Sequence, residues 1–149
     1  MAAHYYCTID DVQKTGVTLP RIIELSNDAK AETVDEDNFD GCRGSAADLI
    51  DSYCLGRYSA RIPFDPVPGV IVTIAAALTK YFLYERKNGV DDRLQKLYDA
   101  QIKQLTQISN GVIDLGESGQ KLPQDGISFT AKTPEDRVSH PDNLTGYIQ

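Results

Sequence analysis

The stretch "PGVIVTIAAALTKYFLYERKNGVDDRLQKLYDAQIKQLTQISNG", residues 68 to 111, decides the fold. From Val70 to Leu78 it is apolar nearly all round, the pattern of a helix buried on every side, and Tyr81, Phe82 and Tyr84 widen the stripe towards its end. Pro68 suits the first position of that helix, where its missing N–H costs nothing, and Asn88 with Gly89 is a stop, so the spacing predicts a helix from 68 to about 87. Asp91 caps a second helix, in which Leu94, Leu97, Tyr98, Ile102, Leu105 and Ile108 form one stripe that Asn110 and Gly111 terminate. Two long helices joined by so short a connection pack antiparallel.

Upstream, "RYSARIPFDPVPG" at 57–69 carries prolines at 63, 66 and 68, which forbid continued helix and favour an extended connector. Before it, Cys42, Ala46, Leu49, Ile50, Tyr53 and Cys54 recur at steps of three and four and predict a third long helix over about 35–55. Asp35 is its N-cap, Val34 and Phe39 a hydrophobic staple, and Glu36 and Asp37 face the positive end of the helix dipole. Gly41 and Gly44 within it mark either a close helix crossing or a kink. A calcium loop starting at Asp28 fails, because Lys30, Thr33 and Phe39 stand where an oxygen ligand, a glycine and a bidentate glutamate are needed. Two short helices come first: one begun by a Thr8–Asp11 capping box and stopped by Gly16, the other over about Leu19–Leu25 with Pro20 in its first turn.

Beyond Gly111 the helical period is lost, and only short apolar pieces such as Val112 to Leu115 and Ile127 to Phe129 remain among glycines and prolines. The expected fold is therefore mainly α: a small bundle of three long and two short helices with extended loops. Residues 1–116 form the helical domain and 117–149 an extended C-terminal arm, which cannot build a core of its own and gains order only by docking on another surface.

The 149-residue chain carries a net charge of -7, so nucleic acid phosphates repel it as a whole, and no dense Lys/Arg cluster reverses this locally. The apolar run at 70–78 is far shorter than the roughly 20 residues a membrane span requires, and no basic-then-apolar leader stands at the N-terminus. Three cysteines at unrelated spacings, Cys7, Cys42 and Cys54, argue against a disulfide framework and for a reducing compartment. Nucleophilic catalysis needs a base beside the thiol, yet the only histidines, His4 and His140, lie in terminal segments, and Cys54 sits on an apolar stripe. His4 and Cys7 form one possible ligand pair with no second pair at zinc spacing, and no phosphate-binding glycine loop exists. Asp48 and Asp51, three apart on one helix, read as a solvated or salt-bridged face rather than an acid/base pair. No enzyme, metal or cofactor is expected.

The order "YCTIDD" at 6–11, "ADLIDSYCLGRY" at 47–58, the "PVP" hinge, "KYFLYER" at 80–86, "LYDAQIKQL" at 97–105 and "ISNGVIDLG" at 108–116 resembles the Mu-like phage family of head-tail connector proteins, long catalogued as a domain of unknown function. The likeness covers roughly residues 5–116, and "RVSHPDNLTGY" at 137–147 is similar to the close of that family's tail. Cys54 stands where leucine is expected, and Gly41, Cys42, Arg43 and Gly44 replace a more Ala-rich turn. The resemblance implies an adaptor, or head completion protein, that forms a dodecameric ring beneath the portal protein and joins it to the stopper or tail proteins. Genomic DNA would pass through the opening without specific binding, helped by an acidic wall that does not hold phosphates. It implies residence at the head-tail interface of the virion, and in the host cytoplasm during assembly.

Tyr53, Arg57 and Tyr58 at a helix end are partner-interface candidates, since tyrosine and arginine are enriched at binding hot spots; alternatively the tyrosines roof the core and Arg57 neutralises the helix C-terminus. Arg137, Leu144 and Tyr147 are candidate anchors of the arm. The competing functional reading is a small phage-encoded regulatory or anti-host protein that binds a single protein partner.

Overall fold

The computed structural model describes residues 3–116, so the arm and its candidates Arg137, Leu144 and Tyr147 lie outside the described residues. Those described form five α-helices and no strand: α1 (Ile9–Lys14), α2 (Leu19–Ser26), α3 (Glu36–Tyr58), α4 (Gly69–Arg86) and α5 (Asp92–Ser109), with one 3-10 turn at Ser59–Arg61. No helix among them is long and apolar enough to cross a membrane.

Local sequence sets the helix starts. The Thr8 side chain accepts from Asp11 N while Asp11 accepts from Thr8 N, which satisfies two N–H groups left without partners at the start of α1. Asp35 accepts from Asn38 N and Asp91 from Leu94 N, each serving as the N-cap its position predicted. At the end of α4, Asn88 takes the left-handed conformation with φ 54, and Gly89 N returns to Tyr84 O, closing the helix so that α5 can fold back.

Two boundaries differ from the sequence reading. Pro68 is the N-cap of α4 rather than its first helical residue. α3 runs on past Leu55 and Gly56 to Tyr58, because Arg57 and Tyr58 are buried and their packing outweighs the low helix propensity of one exposed glycine. The connector is also less extended than its prolines suggest, opening with the 3-10 turn and burying Phe64 at 3% exposure.

α4 is the axis of the bundle and touches all four other helices. Ile71, Ile74, Leu78 and Leu83 on it are fully buried, facing a core that includes Ile22, Phe39, Ile50, Leu105 and Ile108. Ala46 and Ala47 on α3 and Ala75 and Ala76 on α4 are also buried, small side chains suited to a close helix pair. Tyr98 of α5 stacks on Tyr81 of α4 at 4.3 Å between centroids, so the two helices run antiparallel as expected. The end of α3 meets the end of α5, which places these two helices side by side in the same direction. α3 runs through Gly41 and Gly44 without interruption, and a Cβ at Gly41 would meet nothing within 4 Å, so that glycine serves no helix crossing inside the subunit.

Candidate partner interface

The end of the bundle where α3 and α5 finish gathers the interface candidates of the helical domain. Tyr58 is 1% exposed, its ring 6.1 Å from that of Phe64, and its hydroxyl donates to Asp114 Oδ1 at 3.2 Å while accepting from Leu115 N at 3.0 Å. Arg57, 7% exposed, points its guanidinium at the chain leaving α5, with Nη2 3.9 Å from Asp114 Oδ2. Both side chains are thus spent inside the subunit, roofing the core and gripping residues 114 and 115, close to the last described residue. Tyr53 is half-buried against the core and keeps an exposed edge.

Gly111 makes this grip possible. Its φ is +78, a backbone conformation that side chains disfavour, and a Cβ there would lie 1.7 Å from Arg57 Nη1. Gly111→Ala is expected to lower stability by about 1–3 kcal/mol, combining a left-handed alanine with displacement of a buried guanidinium. A urea titration measures it, and a loss no larger than that of an exposed glycine substitution would contradict the contact.

A second network pins the N-terminal segment to the same bundle. Asp51 of α3 receives Tyr6 Oη at 2.5 Å on one oxygen and lies 2.5 Å from His4 Nε2 on the other. Tyr6 Oη in turn accepts from Phe64 N at 3.4 Å, so the N-terminal segment, α3 and the proline-rich connector share one hub. Burial, then the hydrogen bond to Asp51, holds the Tyr6 phenol well above the ordinary tyrosine range, and it is a constant donor. Asp48, the other acid of that pair, is exposed. Sequence reading missed this hub because each of its hydrogen bonds joins residues more than forty positions apart; the half-apolar "HYYC" segment was the available signal.

The three thiols are packed. Cys54 is 0% exposed and burial, with the Asp51 charge adding, pushes its pKa up to about 11; Cys7 lies 3.3 Å from Thr79 Oγ1, its pKa likewise raised by burial. All three should resist Ellman's reagent in the native protein at pH 8 and react once urea is added; fast labelling of one thiol in the native state would contradict their burial. Among the described residues no group of three or more His, Cys, Asp or Glu side chains is placed to hold a metal ion.

With that geometry in place, comparison with known proteins is informative. The family model described as "Bacteriophage Mu, Gp36" matches residues 6–130. The chain belongs to this phage protein family. A curated relative, the "Mu-like prophage FluMu protein gp36" of Haemophilus influenzae, is 33% identical over 89 residues, a stretch that spans 60% of this chain and 60% of that protein. The Gp36 family match takes in both networks apart from His4, from Tyr6 through Asp51, Phe64 and Tyr58 to Asp114, and continues past the last described residue.

Proposed function

We propose that this Gp36-family chain is a structural virion protein, a head-tail connector that assembles as a ring between the portal protein and the stopper or tail proteins and completes the DNA-filled head. The observation that carries the reading is the family match along residues 6–130, which embraces the ordered series of motifs on which the likeness to connectors rests. The physical character of the described domain supports it: an all-helical bundle in which Tyr6 and residues 114 and 115 are hydrogen-bonded to α3, with its cysteines buried.

In this reading Arg57 and Tyr58 aim the arm rather than touch the partner, Tyr53 offers an edge to it, and Arg137, Leu144 and Tyr147 are the anchors that dock on portal, neighbour or stopper. DNA passes through the ring without specific binding, in keeping with the net charge of -7. The protein resides in the host cytoplasm until it joins the virion. Native mass measurement of the chain mixed with its portal protein tests the proposal. A ring-sized complex is expected, whereas a chain that remains a monomer or dimer beside portal would favour the regulatory reading instead.

A further inference from the structure

Among the described residues two helix faces of the bundle are left without a partner, and their charges are complementary. On α3 the side away from the core presents Asp37, Gly41, Ser45 and Asp48, at steps of four, four and three, with Leu55 further along at 58% exposure. A groove of about 600 Å³ runs along this face, bounded on one side by Tyr5 and His4 and on the other by Asp37, Gly41, Ser45 and Asp48. On α5 the solvent side presents Arg93, Lys96, Ala100 and Lys103, at steps of three, four and three, beside Leu97 at 41% exposure. Asp92 and Asp99 lie on one edge of that face, and Asp99 is engaged by Gln95 Nε2 at 3.1 Å.

Neither set of charges is drawn into an ion pair among the described residues, although Asp92 and Asp99 stand four positions before Lys96 and Lys103. Among the described residues Asp37 and Asp48 have no ion-pair partner, nor do Arg93, Lys96 and Lys103, whereas Asp40 on the flank is already taken by Arg43. At 1.5 Å per residue the acids span about 16 Å and the bases about 15 Å, so one face can pair with the other along its length. Gly41, which has open space where a Cβ would stand, lets an incoming helix approach the α3 backbone closely. Because α3, α4 and α5 each touch the other two, the outward faces of α3 and α5 point in different directions, which is what a head-to-tail contact requires.

We infer that the α3 face of one copy docks the α5 face of the next, and that this heterologous contact, repeated, closes the ring. The inference rests on the connector reading and adds to it the surface through which the copies meet. Asp37 and Asp48 repel their own copies, so the α3 face does not pair with itself, and the head-to-tail order is favoured over an isologous contact there.

Paired charge reversals test it. Asp37→Lys with Asp48→Lys makes both faces of a subunit basic; Lys96→Glu with Lys103→Glu makes both acidic. Each double variant alone should associate about tenfold or more weakly than the wild type in sedimentation velocity, while an equimolar mixture recovers assembly, because each then offers the face the other lacks. Gly41→Leu adds a readout that loss of fold cannot mimic: the open space at Gly41 predicts an unchanged or raised melting temperature together with loss of assembly. Wild-type association in either reversed variant alone, or no recovery on mixing, would overturn the surface and leave the ring reading standing. A wild-type chain that stays monomeric with portal present would overturn both.

Discussion

Truncating Tyr58 to alanine is expected to remove about 3–5 kcal/mol of stability, the range for deleting a large buried aromatic ring. The ring is 1% exposed and lies against Phe64, and its hydroxyl is the tie between the end of α3 and residues 114 and 115. Against a total of roughly 5–15 kcal/mol for an ordinary domain, such a loss leaves the bundle close to unfolding. Tyr58→Phe separates the two contributions. It keeps the ring, removes both hydrogen bonds, and should cost about 1 kcal/mol, with faster hydrogen exchange at the Leu115 amide as its local signature. A Tyr58→Ala loss near that of Tyr58→Phe, read in urea titrations, would show that the ring is not part of the core.

Ile74→Ala carries the second large effect, about 2–5 kcal/mol, because the side chain is 0% exposed on the helix that every other helix touches and the cavity has no easy way to collapse. The neighbouring Thr73 is exposed, its hydroxyl donating only to Gly69 O of its own helix, and Thr73→Ala should stay within about 0.5 kcal/mol. Equal losses at these two adjacent positions would contradict the placement of α4 as the buried axis.

Much of this architecture was legible because it is written locally. Thr8 with Asp11, Asp35 and Asp91 announce helix starts by side chains that bond their own first turns, and Asn88 with Gly89 announces a stop through the left-handed conformation. The nearly all-round apolar run from Val70 to Leu78 marks the most buried segment of the chain, and α4 does carry Ile71, Ile74, Ala75, Ala76 and Leu78 in the core, with Thr73 left exposed. The end of α3 was less legible: the apolar spacing ends at Cys54 and predicts a helix to about 55, but the burial of Arg57 and Tyr58 carries it to Tyr58. Nor does an arginine in sequence disclose that its guanidinium lies on a glycine more than fifty positions away.

The interface candidates show the same division. Arginine and tyrosine at a helix end do mark a place where the chain makes demanding contacts, and Arg57 and Tyr58 make theirs within the subunit, on Asp114. The exposed faces of α3 and α5 were hidden for a different reason. A small or charged residue on a solvated helix looks the same whether or not a neighbour covers it, and only the open space at Gly41 and the unpaired charges on both faces distinguish them. In the proposed ring, stability and assembly rest on separate residues, Tyr58 and Ile74 for one, Asp37, Gly41, Asp48, Lys96 and Lys103 for the other.

The proposed role is tested most directly by electron microscopy of particles from a phage from which this gene alone has been deleted. The connector reading predicts heads without tails, either full or leaking their DNA, and restoration of tailed particles when the protein is supplied. Normal tailed virions from the deletion would contradict it.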